Sequence, residues 1–213
     1  MDVVLKNLAK RYQFEWIFRH IDLSLQHGES YAITGPNGSG KSTFLKILSG
    51  HLSPSKGSIQ FQQGDQALEV EEVYHHLSYA APYIDLIEEF TLIEAIKFHR
   101  QFKQFQNNHT SEELLELLNF HKSKHKQLRF FSSGMKQRLK LLLNICSDTP
   151  YLLLDEPSTN LDQQGMEWYL DLMEKYGKNR LVVVASNIKS DYSFCSQELD
   201  ISKYKTGRKK NKA

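Results

Sequence analysis

Cysteine is scarce: Cys146 and Cys195 are the only two in 213 residues, and they form no CxxC pair. A disulfide scaffold and a cysteine zinc site are therefore not expected, and both thiols read as reduced side chains of a cytosolic protein. Long apolar runs are missing too. No stretch approaches the roughly 18 apolar residues of a membrane span. The opening, MDVVLKNLAKRYQF, has neither the apolar centre nor the small-residue cleavage site of a secretory leader. Charge of one sign is also lacking: 27 basic residues stand against 25 acidic ones, a net +2 that gives no reason to expect a nucleic-acid partner. Repeats and low-complexity linkers are absent, so residues 1–202 are expected to form one domain. With 40% hydrophobic and 24% charged residues, that domain has enough apolar material for a packed core. Residues 203–213 begin KYKTGRKKNK and contain no acid. They read as a disordered, solvated tail, with contact to anionic lipid headgroups as the alternative.

Apolar alternation predicts strands at 3–5, 16–25 and 30–34, the last running into glycines. A helix follows at 42–49, where Phe44, Leu45 and Leu48 share a face and Gly50 and Pro54 end it. Runs at 58–61 and 67–73 predict a short antiparallel pair around Gly64 and Asp65. From about 82 to 130 the pattern turns helical. Thr91 is placed to cap Leu92, Ala95, Ile96 and Phe98, and Ser111 to open SEELLELLNF as a capping box. Ser132 and Ser133 cap a third helix bearing Met135, Leu139, Leu142, Leu143 and Cys146. A buried strand at 151–154, a helix at 163–176 and a strand at 181–185 complete the pattern. Strands alternating with helices predict an α/β fold: a mainly parallel sheet covered on both faces, a small antiparallel β lobe, and an inserted helical subdomain at about 82–130.

The sharpest motif is GPNGSGKST, residues 35–43, lying between a predicted strand and a predicted helix. It matches G-x-x-x-x-G-K-[ST], the phosphate loop of a P-loop NTPase core. Gly35, Pro36, Asn37, Gly38, Ser39, Gly40, Lys41, Ser42 and Thr43 form the candidate nucleotide cradle. Gly38 and Gly40 allow positive φ, which brings backbone N–H groups close to phosphate oxygens. Lys41 reaches the outer phosphates, and the Ser42 hydroxyl is a magnesium ligand. A matching acidic strand end follows in YLLLDE, residues 151–156. At the carboxyl end of a parallel strand, Asp155 is placed to hold Mg²⁺, through water, because that ion keeps part of its hydration shell. Glu156 is placed to orient and deprotonate an attacking water.

With these residues in order, nearly the whole chain resembles the ATP-binding subunit of ABC transporters. Tyr12 stands where that family stacks an aromatic on adenine. FSSGM, residues 131–135, stands at the LSGGQ signature, and STNLD, residues 158–162, at the D-loop. Pro82 falls at the Q-loop and Asn187 at the H-loop. The resemblance implies a head-to-tail dimer with a second ATP-binding subunit, expected to be a homodimer. Each Mg-ATP would be held between one phosphate loop and the signature Ser132, Ser133 and Gly134 of the other copy, with Asp162 in the D-loop. It also implies ATPase activity through Glu156, Lys41 and Asn187, transmembrane permease subunits as partners, no nucleic acid, and a cytoplasmic position on the inner face of the cell membrane.

Several positions depart from the family pattern. Ser133 replaces a glycine and Met135 a glutamine in the signature. Pro82 stands at the expected glutamine, and no glutamine lies between Gln66 and Gln101. Proline offers no side-chain donor or acceptor and no N–H, which leaves Tyr83 or Asp85 to substitute. Asn187 replaces a histidine and cannot carry a proton at neutral pH. Tight ATP binding with slow turnover is the expectation, since positioning and acid–base groups each contribute roughly 10²–10⁴-fold. Two other classes stay open: a nucleotide-gated module with little hydrolysis, and a soluble ABC-type ATPase acting on DNA or ribosomes, the latter disfavoured by the lack of a long heptad insertion. His75 and His76 read as strand neighbours facing opposite ways, and His121 and His125 lack a carboxylate helper, so no metal site is expected from histidine. Of the alternating aromatics Tyr12, Phe14, Trp16 and Phe18, all but Tyr12 read mostly as packing.

Overall fold

The computed structural model describes residues 1–64 and 66–205. Its elements run β1 (Asp2–Tyr12), β2 (Glu15–Leu25), β3 (Ser30–Thr34), α1 (Lys41–Leu48), β4 (Lys56–Gln63), β5 (Gln66–Leu68), α2 (Val73–His76) and β6 (Leu77–Ala80). There follow α3 (Leu92–Arg100), α4 (Ser111–Leu118), α5 (Ser133–Ile145), β7 (Tyr151–Asp155), α6 (Gln163–Tyr176), β8 (Leu181–Ala185) and β9 (Gln197–Asp200). The strands form two sheets. One is antiparallel, in the order β2-β1-β4-β5, and the other is parallel, in the order β6-β7-β8-β3-β9.

All five residues of β7, and all five of β8, are buried, as expected for inner strands of a parallel sheet covered on both faces. Their two-residue period divides them between two apolar layers. Leu152, Leu154, Val182 and Val184 face α3–α6, packing with Leu92, Ile96, Leu142 and Leu172 of those helices' apolar stripes. Tyr151, Leu153, Leu181 and Val183 face α1 and the antiparallel sheet, meeting Phe44, Leu45, Leu48, Leu5 and Phe18. The parallel sheet is thus clamped between a layer of α3–α6 on one face and α1 with the β lobe on the other. This holds the carboxyl ends of β3, β7 and β8 beside one another.

Arg180 stands just ahead of β8 and is buried. Its guanidinium donates to Ile145 O at the end of α5 (2.7 Å), to Tyr176 O at the end of α6 (3.4 Å) and to Thr149 Oγ1 (2.7 Å). Two helix C-termini, each with carbonyls lacking an intrahelical partner, thus share one cation.

Some local expectations change. Thr110, not Ser111, caps α4: its hydroxyl accepts from Glu113 N–H, and the Glu113 carboxylate accepts from Thr110 N–H in return. Glu113 lies three residues after Thr110, whereas the same offset from Ser111 falls on the apolar Leu114. The run expected as a strand at 67–73 ends at Leu68, where its pairing to β4 stops at Phe61. The chain then turns through a 3-10 turn, Val70–Glu72, into α2, so His75 and His76 lie on a helical turn and not on a strand. Phe14 is 96% exposed at the β1–β2 hairpin and takes no part in packing, while Phe18 is buried. Trp16 lies against the cations of Arg11, Arg19 and Lys56. The span 82–130 holds α3 and α4 with three 3-10 turns. At the other end, Lys203 belongs to a last 3-10 turn, Ile201–Tyr204, anchored by buried Ile201. Residues 206–213 of the expected tail lie outside the described residues.

Candidate nucleotide site

β3 delivers the chain into the phosphate loop, and the loop's shape requires its glycines. Gly35 has φ 137°, and a Cβ there would stand 2.8 Å from Ser39 Oγ. Gly40 has φ 105°, and its Cβ would meet Ile17 Cγ2 at 2.4 Å. These two positions are closed to side chains by both conformation and space. Gly38, φ 74°, faces open space. α1 then starts at Lys41 with no side-chain cap and no acid in its first turn. Its first N–H groups and the positive end of its dipole are therefore left to an external anion.

Lys41 is 5% exposed, yet its Nζ donates to Gly35 O (2.9 Å) and Asn187 Oδ1 (3.1 Å). Asn187 Nδ2 in turn donates to Asn37 Oδ1 (2.7 Å). The asparagine after β8 thus bridges both ends of the loop. A pocket of about 340 Å³ opens here, with Asn37, Gly38, Lys41, Ser42 and Thr43 on one side, Glu156 on another, and Ile17 of β2 at its edge.

Asp155, the last residue of β7, is 1% exposed, and its Oδ1 has no hydrogen-bond partner among the described residues. Burial pushes its carboxyl above the ordinary range, opposed by the neighbouring Ser42 hydroxyl and then raised further by the charge of Glu156. A buried carboxylate oxygen left over, beside a serine hydroxyl, is a hard-oxygen donor set that fits Mg²⁺ and lacks the nitrogen or sulfur that zinc prefers. Among the described residues no group of three or more His, Cys, Asp or Glu side chains gathers at one place to hold a metal. Glu156 takes φ 46°, an uncommon conformation for a residue with a side chain, and its N–H is fixed to Ala185 O at 2.8 Å. That backbone turns the carboxylate out of the sheet to the pocket wall.

Pro82 follows the β6 edge with its carbonyl accepting from Lys140 Nζ (3.2 Å). Asp85 lines a different, apolar groove with Lys140, whereas the Tyr83 hydroxyl donates to Asp155 Oδ2 (3.3 Å). The signature residues form a second pocket, also of about 340 Å³. Ser132 caps α5 by accepting from Met135 N–H (3.2 Å), which leaves its own O–H to donate. A Cβ on Gly134 would come within 2.8 Å of Asn160 O, so the signature packs directly on the D-loop backbone. Asp162 caps α6 by accepting from Gly165 N–H (2.7 Å).

The structure therefore gathers Lys41, Ser42, Asp155, Glu156 and Asn187 around the phosphate loop. Ser132, Ser133, Gly134 and Asp162 are held at a separate pocket. Tyr12, 47% exposed with Lys10 Nζ 5.4 Å above its ring, is not among the lining of the phosphate pocket. Ile17, which is, was not singled out by sequence. It is one apolar residue in an alternating strand and carries no distinguishing signal.

The family model described as ABC transporter matches residues 18–159. The chain is 30% identical over 190 residues to an uncharacterized ABC transporter ATP-binding protein, YxlF, of Bacillus subtilis (strain 168), covering 88% of this chain but 63% of that protein. It is 31% identical over 194 residues to ABC transporter I family member 1 of Arabidopsis thaliana, covering 89% and 83%. Among solved structures, a putative ABC transporter ATP-binding protein from Pyrococcus furiosus superposes with a TM-score of 0.81 at 20% identity, over 97% of this chain and 100% of that one. A dimeric bacterial ABC transporter cassette superposes with a TM-score of 0.77 at 23% identity, over 94% and 95%.

Proposed function

The chain belongs to the ABC transporter family, and from that premise we propose that it is an ATP-binding subunit that hydrolyses Mg-ATP to drive separate membrane subunits. One observation carries the reading: a phosphate pocket lined by Lys41, Ser42 and Glu156, with a buried, unpartnered oxygen of Asp155 directly behind the Ser42 hydroxyl. Glycine-lined N–H groups and the α1 terminus bind the phosphates, and Lys41 exchanges its carbonyl and amide partners for phosphate oxygens. Asp155 and Ser42 hold Mg²⁺, which when bound neutralises charge on the outer phosphates. Glu156, held at the pocket wall by its backbone, orients a water and takes its proton.

A second copy completes the site. Ser132 O–H and the N-terminal N–H groups of α5 supply donors for a phosphate bound to the partner's loop, an arrangement supported by the likeness to a dimeric cassette. The membrane subunits dock in a groove of about 240 Å³ between α3 and the segment after β6, where Ile84, Ile87, Phe98 and Phe102 leave apolar surface exposed. No helix among the described residues is long and apolar enough to cross a membrane. The protein sits on the inner face of the cell membrane through this contact. Asn187 holds its place by Lys41 but has no proton to relay, so turnover is slow.

The test is phosphate release at high protein concentration, for the wild type and Glu156→Gln. Mg²⁺-dependent release that disappears in the variant, with ATP binding retained, is expected. ATP binding without release by the wild type, in complex with its membrane partner, overturns the hydrolytic reading in favour of a nucleotide-gated module.

A further inference from the structure

Resting on the Mg-ATP reading, we propose that Tyr83 is a positioning residue of the metal carboxylate, supplying the side-chain contact that Pro82 cannot make. Three elements hold its ring and hydroxyl. Lys46 of α1, the helix that follows the phosphate loop, places Nζ 4.2 Å from the ring centroid. Tyr79 of β6 bonds hydroxyl to hydroxyl, the two rings meeting edge-on at 6.3 Å. The remaining direction of the Tyr83 O–H is toward Asp155 Oδ2, at 3.3 Å. At 3.3 Å the contact is longer than the usual O–H···O range of about 2.5–3.0 Å, but it distinguishes the two carboxylate oxygens: Oδ2 faces the phenol, while Oδ1 stays buried and unpartnered. Tyr79 O–H donating to Tyr83, and Tyr83 donating to Asp155, makes a directed chain in which each bond strengthens the next.

The alternative, Asp85, points elsewhere, into the apolar groove beside Lys140. The choice between them is made by the backbone. Lys140, on the helix that opens at the signature, binds the Pro82 carbonyl and fixes the turn that sends the next residue back over the sheet. Outer-shell partners of metal-binding groups tune metal affinity by about 10- to 100-fold, and Tyr83 stands in that relation to Asp155.

Mn²⁺ binding to the ATP-loaded protein, followed by electron paramagnetic resonance, tests this in the wild type, Tyr83→Phe and Tyr79→Phe. ATP affinity in excess EDTA is measured beside it. Tyr83→Phe is expected to weaken Mn²⁺ binding by about tenfold or more, with EDTA-state ATP affinity unchanged. Tyr79→Phe, which keeps the Tyr83 hydroxyl, is expected to shift Mn²⁺ affinity in the same direction by less. Mn²⁺ affinity within twofold of wild type in both variants overturns the assignment. It is overturned equally if ATP affinity in EDTA falls as far as Mn²⁺ affinity, because the tyrosine then supports the pocket and not the metal. Failure of the wild type itself to bind Mn²⁺ with ATP overturns the parent reading, and this one with it.

Discussion

Lowering the pH should loosen the joint between the helical subdomain and the sheet, through His99. The ring lies on α3, stacked on Phe105 with centroids 5.5 Å apart, and its Nε2 is 2.8 Å from Ser147 Oγ. The Ser147 hydroxyl already donates to Leu143 O (2.6 Å), so the imidazole is the donor to it. Burial, followed by the charge of Lys103, lowers the ring from the ordinary 6.5 to about 4. Folded, it stays neutral down to about pH 4, while unfolded it takes up a proton near 6.5. Between those values the unfolded chain binds more protons, so stability falls as pH falls. The full swing is about 3 kcal/mol, of which about 2 is lost by pH 5. Urea unfolding of wild type and His99→Gln at pH 7, 6 and 5 isolates this residue, because other titrating groups cancel in the difference. The wild type should lose about 2 kcal/mol more than the variant between pH 7 and 5. A constant gap between the two across that range would refute the reasoning.

Gly134→Ala, in the first turn of α5, gains less than the roughly 1 kcal/mol of a helix interior, and its Cβ must displace the Asn160 carbonyl. Near-native stability in urea with loss of ATP-driven dimerisation, measured by size-exclusion chromatography in a Glu156→Gln background, is the expected result. Arg180→Met removes the charged donor from two helix-terminal carbonyls, which keep only the Gln106 amide, and from the Thr149 hydroxyl, which keeps Ser78. At about 3 kcal/mol for such losses, the thermal midpoint should fall by about 6–12 °C, and a shift under about 2 °C would contradict the role given to Arg180.

Legibility in the sequence followed physical contrast. α6 and β8 could be read with their ends because Asp162 and Gly177 bracket an apolar helical stripe and LVVVA is a continuous buried run. β9 could not: QELD is a polar edge strand, and its place beside β3 is set by pairing, not by pattern. β6 is a second edge strand of four residues, too short to show a period. The phosphate loop announces itself because its chemistry lies in backbone shape, which only glycine permits. The pocket wall is harder. Tyr83 and Asp85 are equal candidates as letters, and the turn tied to Lys140 separates them. Thr110 and Ser111 are likewise equal as capping residues until the offset to Glu113 is counted.

Arg180 has a mechanical consequence. The helices whose last turns it grips, α5 and α6, begin at Ser132 and Asp162, the caps beside the signature and the D-loop. They make a two-pronged fork with one handle. Each prong is about 20 Å long, so a tilt of about 5° at the handle sweeps both tips by about 2 Å. The tips touch through Gly134 and Asn160, so neither prong travels alone. A displacement of either loop is therefore expected to carry over to the other through this contact.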